Sequence, residues 1–368
     1  MHNKVNNKIG VSVLGATGMV GQNFLRLLEN HPWFKVVDVA ASERSAGKLF
    51  KESVQNKWLI PTPIPEYVKN MRVRNVHNFE NIPPDVTCVF SAMDLPEKKA
   101  TREFEFNYAT RGYAVISTSS ANRQTGDVPM IIPEINPQHA DIIPIQQKNR
   151  QLPNTGFVAV KPNCSIQSYI VVLEALKNAG FPVNRVQVTT LQALSGAGYK
   201  ALTSPELKDN IVPFISGEED KTEKEPLKIF GKIMGNGITP VDGLEINAVC
   251  TRVPVVDGHT AVVHLGFASK IPSVDEVKMI LSSFRALPQE LNLPTAPATP
   301  IIVKEDENRP QPQLDRDSEN GMAVTVGRIA KDHFFDLRFV GLSHNTVRGA
   351  AGGAILTAEL LVKKGYIA

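Results

Sequence analysis

The stretch that most constrains this chain is Ile9–Asn30, IGVSVLGATGMVGQNFLRLLEN. A short apolar run, of a length suited to a buried strand, leads straight into Gly15, Gly18 and Gly21 at the spacing G-x-x-G-x-x-G, and then into apolar residues at helical period. Glycine is required where the backbone turns tightly and where a pyrophosphate must approach the free amides of a helix start. The motif alone is weak. Its position between a strand and a helix makes it a dinucleotide loop. Thr17, Met19 and Val20 share the loop and are read as cofactor contacts beside the glycines.

A strand–loop–helix unit of this kind commits the next segments of the chain to a parallel sheet with right-handed crossovers. KVVDVAA, VTCVFSAM and YAVISTSS read as further strands, with the charged helical stretch PEKKATREFEFNYATRG between the last two. Beyond Cys164 the pattern changes. One helix is followed by the alternating stretches RVQVTTLQAL, INAVCTRVPVV, TAVVHLGFA and MAVTVGRI, which favour antiparallel or mixed pairing. LPTAPATPIIVKEDENRPQPQ reads as surface loop, and TVRGAAGGAILTAELLVKKG as a long terminal helix whose small residues permit close approach. The expected fold is α/β, an N-terminal Rossmann-type parallel sheet with a second α+β catalytic and dimerisation domain. Residues 1–160, completed by the helix at 345–368, form the first domain and residues 161–344 the second. A length of 368 residues agrees with two domains.

Forty basic against thirty-seven acidic side chains leave a formal charge of +3, too balanced for a nucleic-acid or membrane-surface binder. Three widely spaced cysteines give no disulfide framework, and no metal site is expected. Glycine interrupts the first apolar stretch of MHNKVNNKIGVSVLGATG, which argues against a secretory signal, and no apolar run reaches the roughly eighteen residues of a membrane span. A cytoplasmic chain with reduced thiols is expected.

The choice between NAD and NADP rests on the end of the second strand. Asp38 lies at the distance where an acid binds a ribose hydroxyl, but the VAA after it keeps it inside the strand. The tip reads ASERSAGK, and Ser42, Arg44, Ser45 and Lys48 suit a 2′-phosphate, because guanidinium forms forked charge-assisted bonds to phosphate. NADP is therefore expected, with Ser91, at the end of another strand, as a further contact.

Cys88 and Cys250 lie within apolar strands, where cysteine is an inert small hydrophobe. Cys164, in KPNCSIQSYI, sits where a strand turns into a helix. A helix N-terminus lowers a thiol pKa and favours the nucleophilic thiolate. Such a nucleophile needs an acid/base, for which histidine is the usual choice. His2, His31, His77, His139 and His333 read as surface residues, and His264 as mid-strand. His259, after Asp-Gly at a turn, and His344, in SHNTVRG, are left as competing candidates.

Taken together and in order, GATGMVG, SSANR, DVPMIIPEIN, KPNCS, LQALSGAG, GEEDK, RVPVVDGH and HNTVRGAAGG resemble aspartate-semialdehyde dehydrogenase, closest to its archaeal and fungal branch. The resemblance implies that Cys164 forms a covalent thioacyl enzyme, that His259 is the general acid/base and that Gln192 orients the intermediate. It implies Arg252 for the substrate α-carboxylate and Glu218 for its amino group. Arg123, Asn163 and Lys221 would form the phosphate site. Ser195, Gly196 and Gly198 would border the nicotinamide, and Asn345 and Thr346 would reach the cofactor from the C-terminal helix. The implied reaction is NADPH-dependent reductive dephosphorylation of 4-phospho-L-aspartate, in lysine, methionine, threonine and isoleucine biosynthesis, by a homodimer or homotetramer.

Some physical reading stands beside this. Glu218 and Lys221 are three apart and share a helix face, and Arg252 is a cation in an apolar strand that wants an anionic partner. Archaeal malonyl-CoA reductases resemble the same branch, including HNTVRGAAGG, but have no substrate amino group to bind. N-acetyl-glutamyl-phosphate reductase fits the later motifs less well. A non-catalytic NADP-sensing module leaves the charges of SSANR and GEEDK without a purpose.

The reading of ASERSAGK has a direct test. Arg44→Ala should weaken NADP binding by about 1.5–3 kcal/mol while leaving NAD binding nearly unchanged, since only NADP carries the extra phosphate. Equal loss of both, measured by fluorescence titration, would contradict it.

Overall fold

A computed structural model describes residues 8–58 and 60–368 of the chain, so His2 lies outside the described residues. The first sheet contains β1 (Ile9–Leu14), β2 (Phe34–Ala41), β3 (Arg74–Asn75), β4 (Val86–Ser91), β5 (Ala114–Ser117) and β6 (Phe157–Val160). Its order is β3-β2-β1-β4-β5-β6 and every pairing is parallel. Strands covered by helices on both faces must be apolar on both, which is why β1, β4 and β6 read as near-continuous apolar runs.

The second sheet contains β7 (Val183–Gln192), β10 (Glu245–Arg252), β11 (His259–Phe267), β12 (Ile301–Val303), β13 (Val324–Lys331) and β14 (Leu337–Ser343). The small hairpin of β8 (Lys232–Met234) and β9 (Gly237–Thr239) stands apart from it. The order β10-β7-β11-β14-β13-β12 mixes parallel edge pairs with an antiparallel centre. In the β10–β7 half of this sheet one face is buried and the other is more exposed. In β7, Val186, Val188, Thr190 and Gln192 are buried while Gln187, Thr189 and Leu191 are half-exposed.

Two features tie the halves together. β6 runs directly through residues 161–164 into the 3-10 turn Ser165–Ser168 and the helix Ile170–Asn178, which cover the second sheet. At the other end the chain returns from β14 to the first sheet. A π-helical turn, Val347–Ala351, continues into the helix Gly352–Lys363, whose Ala354, Ile355 and Leu361 share a core with Val11, Val13 and Phe24. The terminal helix thus packs with the first sheet. Gly21 shows why the loop helix, Met19–Leu27, needs a glycine: a Cβ there would stand 2.2 Å from the Gly15 carbonyl oxygen.

Several expectations need correction. His31 and His139 are buried, not surface residues: His31 Nε2 pairs with Glu359 at 2.8 Å, and His139 bonds to Asn136 and to the Gly231 carbonyl. Their partners come from remote sequence. The stretch 293–313 is not wholly surface loop, because Ile301–Val303 forms β12 and Leu293 and Ile301 are buried. Among the described residues no helix is long and apolar enough to cross a membrane.

Asp38 is inside β2, as expected, and is committed there. It accepts the Ser12 hydroxyl at 2.5 Å and pairs with Arg74 Nη2 at 2.6 Å, all three being buried. Arg74→Met should therefore lower unfolding stability by about 3–5 kcal/mol, because it leaves a buried unpaired carboxylate. Adding Asp38→Asn should recover part of the loss. Denaturant melts of the two variants check this, and equal losses would argue against the pair.

Candidate active site

Cys164 stands at the seam between the two sheets, beside a cleft of about 270 Å³ lined by Arg123, Asn163, Gln192, Ser195, Gly196, Glu218, Lys221, Arg252, Asn345 and Thr346. Val20, Ala92, Met93, Asp94 and Thr118–Ser120 line the side belonging to the first sheet. His259 opens β11, and its Nε2 lies 3.4 Å from Cys164 Sγ. This geometry separates the two candidate histidines. His344 lines a neighbouring cavity with Arg26, Asp257 and Asp317, its Nε2 3.6 Å from Asp317.

The imidazole of His259 is held by a backbone amide. Ala193 N–H donates to Nδ1 at 2.9 Å, so in the neutral ring the proton sits on Nε2, facing the sulfur. Burial and the Arg252 guanidinium push the pKa of His259 down to about 3, so the ring is neutral at ordinary pH.

The thiol differs from the sequence expectation. Cys164 precedes a single 3-10 turn, and the α-helix begins only at Ile170, so no full helix dipole acts on it. The thiol lies above its ordinary range: burial, followed by the Glu218 charge, pushes it up, and Lys161, Arg123 and Arg252 pull it back only in part. Asn163 steadies the turn: its Oδ1 accepts from Cys164 N–H at 2.8 Å.

The charged groups are paired with one another. Glu218 and Lys221 share a face of the helix Glu218–Ile229, 2.6 Å apart. Glu218 also accepts from Asn163 at 2.9 Å and Gln192 at 3.3 Å. Burial pushes its carboxyl up, but Lys221 and the Asn163 bond outweigh burial and hold it below the ordinary range. Arg252, at the end of β10, donates to the Ala193 carbonyl at 2.7 Å; its partner in the structure is a backbone oxygen, not a carboxylate.

One residue of this array was missed at the sequence level. Glu225 accepts from Arg123 at 2.9 Å and from the Asn163 amide at 2.6 Å. A signal was present, since Glu218, Lys221 and Glu225 follow the i, i+3, i+7 spacing of one helix face.

The cofactor residues divide between two clefts. Thr17, Gly18, Ser42, Arg44, Ser45 and Lys48 line a larger cleft of about 720 Å³, with Lys57, Tyr199 and Lys200, which sequence reading missed. No side chain caps the helix at Gly18, which leaves its first amides free for a phosphate. A dinucleotide carrying a 2′-phosphate fits a cleft so supplied with cations. Gly15 forms the turn beneath it, with φ +74° and its carbonyl accepting from Gly18 N–H. Gly198 has φ +81° and begins the turn carrying Tyr199, away from the nucleophile cleft. Ser91 does not reach either cleft. It is fully buried with its hydroxyl on Glu105, and the next three residues line the cleft instead. Among the described residues no group of histidine, cysteine and carboxylate side chains is arranged to hold a metal ion.

A half-buried thiol with a facing imidazole, next to a cation-lined cleft at a glycine loop, fits a dinucleotide-dependent dehydrogenase. Residues 10–143 match the family model described as semialdehyde dehydrogenase, NAD binding domain, and residues 173–348 match semialdehyde dehydrogenase, dimerisation domain. The aspartate-semialdehyde dehydrogenase of Archaeoglobus fulgidus is 45% identical over 98% of this chain and 100% of its own length. That of Schizosaccharomyces pombe is 41% identical over 97% of this chain and 99% of its own. The crystal structure of the Candida albicans enzyme with NADP covers 98% of this chain and 100% of its own at a TM-score of 0.86 and 37% identity. The chain belongs to the aspartate-semialdehyde dehydrogenase family.

The three cysteines differ sharply. Burial pushes all three thiols up, but Cys88 and Cys250 are buried whereas Cys164 is half-buried and lines the cleft. Iodoacetamide should label Cys164 first, because access and thiolate character set the rate. Peptide mapping of a partly alkylated sample checks it, and earlier labelling of Cys88 would contradict it.

Proposed function

We propose that the chain carries out the NADPH-dependent reductive dephosphorylation of 4-phospho-L-aspartate to L-aspartate 4-semialdehyde. The observation that carries this reading is the juxtaposition of Cys164 and His259 with Glu218 and Arg252 in one cleft. A carboxylate and a guanidinium across a nucleophile match the ammonium and α-carboxylate of an aspartyl substrate. Arg123, Asn163 and Lys221 supply donors for the phosphate.

The Cys164 thiolate attacks the acyl-phosphate carbon. The carbon–sulfur bond forms, the carbonyl electrons move onto oxygen, and their return expels phosphate with the electron pair of the breaking carbon–oxygen bond. NADPH, when bound, supplies the hydride that reduces the thioester. The carbon–sulfur bond then breaks, the thiolate leaves with its electron pair and the aldehyde forms. His259 Nε2–H, already aimed at the sulfur, donates to the oxygen that becomes anionic on the adjacent carbon. Gln192, bonded to Glu218, orients the acyl group.

The adenosine end is assigned to Ser42, Arg44, Ser45 and Lys48, with Asp38 already committed to Arg74. The domain division at 160/161 and 344/345 follows the seam at Cys164 and the return at Asn345. We assign a homodimer or homotetramer built through the half-exposed face of β7, β10 and β11, where Val249 is 42% exposed. A cytoplasmic location agrees with three unpaired cysteines.

An acyl-CoA reductase reading is weaker, because a malonyl carboxylate would meet the Glu218 carboxylate. In the oxidative direction NADPH formation from aspartate semialdehyde should depend on phosphate, Cys164→Ala should abolish it, and Glu218→Gln should weaken it with NADP binding intact. Efficient malonyl-CoA reduction without phosphate-dependent semialdehyde oxidation would overturn the assignment.

A further inference from the structure

Lys161 is the most unusual charged residue near the site. It is only 2% exposed, it does not line the nucleophile cleft, and nothing in the mechanism above uses it. Burying an ammonium is costly unless an anion compensates it. Among the described residues the Lys161 side chain forms no ion pair, and its one hydrogen bond runs from Nζ to the Pro162 carbonyl at 2.8 Å. The neighbouring carboxylates are occupied: Glu225 by Arg123 at 2.9 Å and Glu134 by Arg348 at 2.8 Å.

Its position is set by the terminal segment. A Cβ on Gly349 would stand 2.8 Å from Cys164 Cβ, and one on Gly353 would stand 2.7 Å from Lys161 Cε. Cys164 and the Lys161 stem therefore pack against the same stretch of the terminal segment, at glycines four residues apart. Side chains at Gly349 and Gly353 would push both groups away.

The other candidate partner for the thiolate is disqualified by its own geometry. With Ala193 N–H on Nδ1, His259 presents a proton rather than a lone pair to the sulfur, and the ring is neutral. It can hydrogen-bond a thiolate but brings no positive charge. Charges from several elements act on the pair. Glu218 opposes the thiolate from its helix, held by Lys221, and Asp94 lines the same cleft from the first sheet. Arg252 faces the sulfur from β10. Arg123, bound to Glu225, acts on both groups, Glu225 acts on Lys161, and Arg348 faces Lys161 from the π-helical turn.

We propose that Lys161 is the buried cation that draws Cys164 toward its thiolate against burial and Glu218, a positioning residue acting through the charge of the nucleophile. Burial pushes the Lys161 ammonium down to about 7, and Cys164 is the first charge drawing it back up. The inference rests on the reading of Cys164 as the nucleophile.

The test is the pH dependence of Cys164 alkylation by iodoacetamide in the full chain, which needs no substrate and no turnover. Lys161→Met keeps the apolar stem and removes the charge. Lys161→Gln also keeps a donor for the Pro162 carbonyl, and Lys161→Arg keeps the charge. In both neutral variants the alkylation profile should move up by about one pH unit or more, slowing labelling near neutrality about tenfold, while the arginine variant stays close to the wild type. NADPH binding should be retained in each variant assayed, as proof of folding. Should Lys161→Met fail to fold, Lys161→Gln carries the same comparison. Neutral variants with the wild-type profile would overturn the proposal, as would an arginine profile shifted as far as the neutral ones. Loss of activity in Cys164→Ala is scored separately, so failure of the nucleophile assignment is distinguishable from failure of the Lys161 role.

Discussion

A single buried carboxylate, Glu225, holds the seam on which the site depends. It is 1% exposed and belongs to a helix packed on the second sheet, yet its two oxygens reach Arg123 from the first-sheet loop and the amide of Asn163 beside the nucleophile. Three segments distant in sequence therefore meet on one charge. Charge-assisted bonds to both oxygens satisfy a group that would otherwise be costly to bury. The same helix carries Glu218 and Lys221, so the residues assigned to substrate share a rigid element with the residue that fixes the nucleophile's turn.

The other clamp is neutral. Asn345 donates to Ser195 Oγ at 2.7 Å and accepts from Gly258 N–H at 2.8 Å. Gly258 precedes His259, and Ser195 follows the Ala193 amide that sets the imidazole's tautomer. The chain thus crosses the cleft once more on its way back to the first sheet. In doing so it fixes the histidine turn and the turn Leu194–Ala197 with one amide side chain. Asn345 is read from sequence as a cofactor residue, and its hydrogen bonds give it a structural duty at the same place.

Much of the fold was legible because burial on both faces imposes continuous apolar runs and burial on one face imposes alternation. β1, β4 and β5 conform to the first pattern and β7 and β10 to the second, whereas β13, read as alternating, is buried on both faces from Val324 to Gly327. β3 escaped because it is two residues long and polar, and β12 because proline and charge surround its three residues. The burial of His31 and His139 was not legible for a different reason. Glu359 lies 328 residues from His31 and Gly231 lies 92 from His139, and no local pattern records such a pairing. Most of the site residues do converge on the cleft. Ser91 does not, because a strand end can point inward, and here Glu105 waits beneath it.

The state of the nucleophile shows where motif reading stops. KPNCS identifies the position of Cys164, but its protonation depends on a sum that no motif contains. Burial and Glu218 oppose the thiolate, and Lys161, Arg123 and Arg252 favour it. Of these three cations, Arg123 is tied to Glu225, and Arg252 is read as the partner of an incoming carboxylate. A charge already shared with another anion is less available to the sulfur than one that is not. The cation nearest in sequence, Lys161, forms no ion pair among the described residues, and the glycines of the terminal segment leave room for its stem near the thiol. The lysine of KPNCS and the glycines of RGAAGG, nearly two hundred residues apart in the chain, thus bear on one charge.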